Sequence, residues 1–359
     1  MTPTVLHAEM LDALSWMQDD TFHACITDPP YHLSTVKRFG GADAAPAQYG
    51  KDGLYARASA GFMGKKWDGG DIAFQPETWA EVLRVLKPGG YLLCFGGTRT
   101  FHRMAVAIED AGFEIRDCLL WLYGKGFPKS HDAARAVDKT LGVKGGAGEP
   151  RSAAHAGWIE RGALRGEDGN EGWQRPWMND PGAVDAAARQ YIPGSPEAAA
   201  WSGWGTALKP AWEPIIMARK PLVGTVAQNL LAHGAGAINV DACRIGESGR
   251  WPANVAHDGS EEVEAAFGNG AQRFFYCGKA TAADRAGSKH PTVKPVSLMR
   301  WLVRMVTPPG GRILDPFAGS GTTGAAAQAE GFASTLIDAE PEYIADMQRR
   351  FGLLEDVFA

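Results

Sequence analysis

The sequence predicts an α/β protein built on a mostly parallel sheet, and three observations carry that expectation. Residues 1–123 alternate between short apolar runs and amphipathic stretches. Tyr91-Leu92-Leu93-Cys94-Phe95 is apolar at every position. Residues 312–338 hold a strand, a glycine-rich turn, a helix, a second strand and an acid in that order. Alternating strands and helices describe an open sheet with helices on its faces. A strand without polar positions is one covered on both faces, as parallel crossovers require.

Along the chain, residues 4–17 read as a short strand and then a helix with Leu11, Leu14 and Met17 on one face. A strand from His23 to Thr27 runs into Asp28-Pro29-Pro30-Tyr31. Residues 34–70 lack periodicity and read as a long loop of the kind that forms lids. Phe62-Met63-Gly64-Lys65-Lys66-Trp67-Asp68 is its one aromatic and basic cluster, open to a packing or a substrate role. Thr78–Leu86 has helical spacing (Trp79, Val82, Leu83, Leu86) and stops at Lys87-Pro88-Gly89-Gly90. Thr98–Ala111 is a further helix, closed by Gly112, and Phe113–Tyr123 a strand. Between 124 and 212 breakers interrupt every candidate element except Asp132–Leu141 and Ala183–Tyr191. Strand Trp212–Ala218, helix Gly224–His233 and a strand over Ala237–Cys243 follow, and 244–290 is irregular. The last seventy residues are regular: helix Pro295–Val306, strand Arg312–Asp315, glycine turn, helix Gly324–Glu330, strand Ser334–Ile337 and helix Tyr343–Phe351.

Composition bounds the function. No run of 18 apolar residues and no basic-then-apolar leader occurs, so neither a membrane span nor a secretory signal is expected. Five scattered cysteines form neither a disulfide framework nor a zinc spacing, and suit a reducing cytoplasm as small buried hydrophobes. The net charge of −5 argues against a generic polyanion binder. Residues 124–220, with 13 basic and 11 acidic side chains, are the basic third and the place to expect a polyanion.

Two motifs carry chemistry. Asp28-Pro29-Pro30-Tyr31, at the mouth of a strand, offers a carboxylate, a carbonyl outside any ladder and a ring, a holder for a planar group bearing an amine. The second is Asp315-Pro316-Phe317-Ala318-Gly319-Ser320-Gly321-Thr322-Thr323, followed by Asp338, 19 residues after Gly319. Glycines admit a ligand to the backbone, a helix N-terminus offers free N–H groups, and an acid after the next strand takes ribose hydroxyls. A phosphate loop needs a lysine after its last glycine, and Thr322 stands there. A G-x-G-x-x-G site is also off pattern. Asp315 before the turn repels a pyrophosphate but suits an ammonium. A ligand with a ribose, a purine and a cationic amino-acid tail fits, namely S-adenosylmethionine (AdoMet).

Together these two motifs resemble the amino-group DNA methyltransferases, which methylate the exocyclic amine of adenine or cytosine. The catalytic motif first and the cofactor motif last is the order of their β group. His290-Pro291-Thr292-Val293-Lys294-Pro295 and Arg84-Val85-Leu86-Lys87-Pro88-Gly89-Gly90 are similar to further family segments, and Glu9 stands where the family often has an Asp. The resemblance covers about 1–123 and 285–350 well and the middle poorly. It implies a Rossmann-like, circularly permuted AdoMet-dependent fold. Residues 1–123 and 285–359 are then the two parts of the catalytic domain. Residues 124–284 are an inserted, loop-rich target-recognition region, with 212–243 returning to the sheet.

The implied activity is methylation of the adenine N6 amine in double-stranded DNA, because family members with Asp at the first motif position favour adenine and those with Ser favour cytosine N4. The alternatives are N4-cytosine, or an RNA or protein-amine substrate. Family roles fall residue by residue: Asp28 and the Pro29 carbonyl accept the amine protons, Pro30 stiffens the turn, and Tyr31 stacks on the flipped-out base. Asp315, Phe317, Ala318, Gly319, Ser320, Gly321, Thr322 and Thr323 surround the methionine end of AdoMet, and Asp338 binds its ribose. Thr292 and Lys294 approach the cofactor carboxylate, with Lys294 as a plain surface lysine the other reading. Glu9 lies near the adenine or is an exposed strand-end acid. Transfer from a sulfonium needs no Lewis acid and no His/Cys cluster has ligand spacing, so no metal is implied. A monomer and a homodimer both stay open, the setting is the cytoplasm of a bacterial or phage-infected cell, and the recognition sequence is not readable.

Overall fold

A computed structural model describes residues 1–31, 36–39, 57–59, 71–123, 130–162, 180–246, 249–268, 270, 274–278, 280–288, 290 and 292–353. The Phe62–Asp68 cluster, and with it most of the expected lid, lies outside them. The chain forms two compact units, Met1–Gly124 with Trp212–Ala359, and Lys125–Ala211.

In the larger unit, β1 (Thr4–His7), α1 (Met10–Ser15) and β2 (Phe22–Thr27) come first. A short antiparallel pair, β3 (Val36–Phe39) and β4 (Arg57–Ser59), stands apart from the main sheet. Then come α2 (Pro76–Val85), β5 (Leu86–Phe95), α3 (Phe101–Asp110) and β6 (Glu114–Leu122).

The smaller unit contains α4 (Ala133–Leu141), β7 (Gly146–Pro150), α5 (Ala153–Arg161), α6 (Pro181–Ala188), β8 (Arg189–Ile192) and α7 (Pro196–Ala199). β7 and β8 pair antiparallel. Asp138 on α4 is its tie point, accepting from Ser195 Oγ at 2.5 Å, Gly194 N at 2.7 Å and the Tyr191 hydroxyl at 2.8 Å. Among its described residues, the region read as mostly broken thus holds four short helices. Each is started by a side-chain oxygen of Asp132, Ser152, Asp180 or Ser195 on a first-turn N–H.

The chain re-enters the larger unit with β9 (Trp212–Arg219), α8 (Val226–His233), β10 (Val255–His257), α9 (Glu261–Phe267), β11 (Phe275–Tyr276) and α10 (Ala282–Arg285). It ends with α11 (Val296–Val306), β12 (Arg312–Asp315), α12 (Thr322–Ala329), β13 (Ala333–Asp338) and α13 (Pro341–Phe351). The expected strand over Ala237–Cys243 is instead a 3-10 turn at Asp241–Cys243, where Asn239 Oδ1 accepts the Ala242 N–H at 3.2 Å. An asparagine that supplies the acceptor locally leaves no need for a ladder partner.

The main sheet has the order β1-β13-β12-β2-β5-β9-β6-β10-β11 among the described residues. All pairs are parallel except the two made by β9. The larger unit is therefore an α/β fold with a mostly parallel sheet. Both faces are covered, which is why Tyr91–Phe95, the second half of β5, reads as continuously apolar. Leu92 and Cys94 pack with Met10, Leu14, Trp79, Val82, Met104 and Ile108 of α1–α3. Tyr91, Leu93 and Phe95 pack with Leu298, Leu302 and Met305 of α11 and Ala326 of α12. On α1 the buried residues are Met10, Ala13 and Leu14, while Leu11 is exposed, so the expected Leu11 face is turned by one residue. The helix begins only at Met10, because Glu9 is extended at its N-cap.

Candidate active site

The two motifs meet because β2 and β12 are neighbours, with Cys25 beside Leu314. Ligand sites of open α/β sheets lie beyond the carboxyl ends of the strands, and Asp28 and Asp315 both stand at that edge. Thr27, the last residue of β2, donates its hydroxyl to Asp315 Oδ1 at 2.7 Å across 288 positions of sequence. The Thr323 hydroxyl donates to Asp315 Oδ2 at 2.5 Å and the Phe317 N–H to Oδ1 at 3.1 Å. Asp315 therefore ties together β2, β12 and the start of α12. Burial pushes its carboxyl up to about 7, against the pull of those three donors, and the nearby Asp28 charge adds to the rise.

The glycine turn is shaped by Asp338 at the end of β13. Its Oδ2 accepts the Gly319 N–H at 2.8 Å and its Oδ1 the Glu340 N–H at 2.9 Å. The 19-residue spacing is the length of chain that brings this acid back under the turn. Burial raises the Asp338 carboxyl to about 6, with the two backbone donors pulling down and Glu340 and Glu9 pushing up.

Gly319 has φ +51°, and a Cβ there would come 3.1 Å from His290 Nε2. Gly321 has φ +76°, and a Cβ there would come 2.8 Å from Met347 Cγ. Only glycine takes both positions without strain. The two differ in direction: Gly319 faces the cleft, whereas Gly321 packs against α13. Gly321 alone among the expected site residues is absent from the cleft wall. The Thr322 and Ser320 hydroxyls pair with each other at 3.1 Å.

A cleft of about 240 Å³ opens over this edge. Its walls include Asp28, Pro29, Pro30 and Tyr31, the turn residues Asp315, Phe317, Ala318, Gly319, Ser320, Thr322 and Thr323, and Asp338, Thr292, Lys294 and Glu9. Met10, Ile72, His290, Glu340 and Tyr343 also line it and were not among the expected residues. His290 accepts the Thr292 N–H on Nδ1 at 3.3 Å and meets the Tyr343 ring edge-on at 4.5 Å. The donor set suits AdoMet: the Asp338, Glu9 and Glu340 carboxylates offer acceptors for hydroxyls and an ammonium, beside the apolar Phe317 and Met10. The close approach at Gly319 leaves room that a side chain would fill.

Lys294 lines the same cleft. It is buried, and its Nζ lies 2.6 Å from Asp28 Oδ2 and 3.3 Å from Glu213 Oε2. Asp28 Oδ1 accepts the Tyr31 hydroxyl. Burial alone lowers the Lys294 ammonium, but the Asp28 and Glu213 charges outweigh it and the net shift is upward. Burial also raises the Tyr31 phenol, and Asp28 and Glu213 add to that. Glu213 was not among the expected site residues: it precedes the apolar Ile215–Ala218 run, whereas Asp28 and Asp338 follow theirs, so only a reversed strand brings it to the same edge.

Comparison with known proteins agrees with this geometry. A DNA methylase family matches residues 22–161 and 163–349. The Type II methyltransferase M.HindIII of Haemophilus influenzae is 26% identical over 343 residues, which is 90% of this chain and 86% of that protein. The Type II methyltransferase M2.DpnII of Streptococcus pneumoniae is 43% identical over 67 residues, 19% of this chain and 25% of that protein. The crystal structure of the M1.HpyAVI–SAM complex covers 97% of this chain and 98% of its own, at 15% identity and a TM-score of 0.46. The enzymes of this family draw their methyl group from S-adenosylmethionine and deliver it to DNA. The match runs over most of the chain, through both motifs and the strands that join them, and the chain belongs to the N6/N4 DNA methylase family.

Proposed function

We propose that this DNA methyltransferase acts on the N6 amine of an adenine flipped out of double-stranded DNA in the cytoplasm, with Asp28-Pro29-Pro30-Tyr31 as its amine holder. The observation that carries the reading is one cleft lined by both Asp28–Tyr31 and the Asp315–Thr323 turn. Asp28 in the first motif position favours adenine over cytosine, following the family pattern.

Bound in the cleft, AdoMet supplies an electrophilic methyl group on a sulfonium. The rest of the work belongs to this chain. The exocyclic amine is a poor nucleophile because its lone pair is delocalised into the ring. The Asp28 carboxylate and the Pro29 carbonyl accept its two N–H groups, favour a pyramidal nitrogen and stabilise the positive charge that grows there. Pro29 has no N–H, so its carbonyl belongs to a segment that cannot continue the β2 ladder. Tyr31 is held by its hydroxyl bond to Asp28 and offers its ring for stacking. Asp338, Glu9 and Thr292 line the same cleft, and in this reading Asp338 and Glu9 would hold the nucleoside end of the cofactor and Thr292 its amino-acid end. The target base reaches the cleft by leaving the duplex, at about a few kcal/mol of unstacking.

The test incubates unmodified DNA with methyl-labelled AdoMet and analyses the nucleosides by mass spectrometry. Label in N6-methyladenine is expected. Label in N4-methylcytosine overturns the choice of base, and absence of label from DNA overturns the substrate class. In the Asp28→Ala variant, transfer is expected to disappear while AdoMet affinity stays within about threefold; equal loss of both makes Asp28 a structural residue.

A further inference from the structure

We infer that Lys294 and Glu213 are positioning residues that act through Asp28: Lys294 clamps the acceptor carboxylate, and Glu213 behind it shares the lysine's charge so that Asp28 keeps its strength as a proton acceptor. This rests on the amine-methylation reading above and assigns Lys294 to the base side of the site, away from the cofactor.

The arrangement is a line of charges. Lys294 Nζ sits 2.6 Å from Asp28 Oδ2 on one side and 3.3 Å from Glu213 Oε2 on the other. It also lies 3.3 Å from the Tyr31 hydroxyl oxygen and 4.7 Å from the Phe95 ring centre. Asp28, Tyr31 and Lys294 line the cleft; Glu213 does not. The Glu213 contact is an ion pair without hydrogen-bond alignment, and Glu213 Oε2, though buried, makes no hydrogen bond among the described residues. For this buried oxygen Lys294 Nζ is the one polar neighbour the described residues show, and a buried carboxylate oxygen gains by such a cation.

The strand direction explains how Glu213 gets there. β9 is antiparallel to β5 and β6, with Phe95 opposite Ile215 and Trp121 opposite Glu213. Its first residues therefore stand at the edge where the parallel strands end. Lys294, just before α11, reaches the same edge from outside the sheet.

This line has a chemical consequence. When the amine nitrogen bonds the methyl carbon, the carbon–sulfur pair leaves on sulfur, and the nitrogen holds one proton too many. Asp28 is placed to take that proton and release it to solvent as the product leaves. A cation bonded to Asp28 alone weakens the carboxylate as a base. A second carboxylate on the far side of the cation restores part of that basicity and fixes the ammonium in place. Other titratable groups face the cluster: Tyr31 beside Asp28, Cys94 on β5, Tyr123 after β6 and Asp315 on β12. Asp315 titrates near neutrality itself. The informative quantity is therefore the displacement between variants, in which its contribution is common.

The test measures turnover against pH with saturating AdoMet and DNA for the wild type, Glu213→Gln and Lys294→Met. Calorimetric AdoMet affinity and melting temperature are read on the same proteins. Transfer requires ionised Asp28, so removing a like charge moves the acid limb down in pH and removing the cation moves it up. Glu213→Gln is expected to move the limb to lower pH and cut the plateau about tenfold, equivalent to about 1.4 kcal/mol. Lys294→Met is expected to move it to higher pH, with AdoMet affinity within about threefold in both. Glu213→Gln is nearly isosteric and keeps the test alive if Lys294→Met fails to fold. Unmoved limbs with weakened AdoMet binding put Lys294 on the cofactor and overturn the inference. Unmoved limbs with turnover and melting temperature falling together make the pair merely structural, which also overturns it. A wild type that methylates no DNA base refutes the underlying function instead.

Discussion

Asp315 is a site residue that the folded protein holds at a cost, and its replacement by asparagine measures that cost. Its carboxyl is pushed up from the ordinary 3.8 to about 7 in the folded protein, with burial as the leading cause. The sign follows from proton counting. Between the two values the unfolded chain has released the proton and the folded chain has not, so each rise in pH favours unfolding. Wild-type stability from this group is thus highest below about pH 4, falls up to about pH 7 and is level above. At about 1.4 kcal/mol per pH unit, the full interval amounts to roughly 4 kcal/mol. Asparagine keeps the shape. Its carbonyl can accept from Thr27 and Phe317 N–H, and its amide can donate to Thr323, so the bonds survive without the charge. Asp315→Asn in the cofactor-free protein should therefore be the more stable at pH 8 by about 2–4 kcal/mol, and by only about 1–2 kcal/mol at pH 5. Calorimetric melting of both proteins across this range checks it, and the gap must widen with pH. Equal destabilisation of Asp315→Asn at both pH values would refute the reasoning, since the carboxylate would then be a net contributor to stability. Methyl transfer by the variant should fall even as it becomes more stable, the trade expected where a site keeps a buried charge.

Two neighbouring perturbations test the same edge. Thr27→Val removes one of the donors to Asp315 and should cost about 1.5–3 kcal/mol at pH 8, where the bond is charge-assisted, and less at pH 5; urea unfolding at the two pH values reads the difference. Gly319→Ala and Gly321→Ala both force a side chain onto a positive φ, which destabilises by about 1 kcal/mol or more. Gly321→Ala also strikes Met347 and should lose stability with AdoMet affinity nearly kept, whereas Gly319→Ala narrows the cleft at His290 and should lose affinity more than stability. Thermal melts with and without AdoMet separate the two.

Much of the larger unit was legible in the sequence, for identifiable reasons. β2, β5, β9, β12 and β13 are apolar runs bounded by breakers or acids, and α2, α11 and α13 have wide apolar stripes. Elements whose composition points to another structure were not legible. β7 is Gly-Ala-Gly-Glu-Pro, a turn composition that becomes a strand only because β8 pairs with it. The stretch before Asp241 has strand composition, yet Asn239 caps a turn there. On α1, one residue of phase separated the expected face from the buried one, because a helix of six residues carries too few repeats to fix its rotation. Within the site, the Asp28 and Asp315 motifs could be read from their residue types and order and from their resemblance to family motifs. The partner of Lys294 could not, since a lysine in a motif reports its presence and not its direction.

The sequence by itself determined the chemistry on offer: an acid, two prolines and a ring after one strand, and an acid, two positive-φ glycines and two threonines after another. Those features are local, because turns, caps and strand ends depend on residues a few positions apart. Tertiary structure decided which of them face each other. The pairing of β2 with β12 brings Thr27 to Asp315, and no local rule specifies a neighbour 288 positions away. The reversed direction of β9 sets Glu213 at the same edge as Asp28, with Lys294 between them. Strand order and direction come from the burial of two whole faces at once. They are properties of the packed sheet.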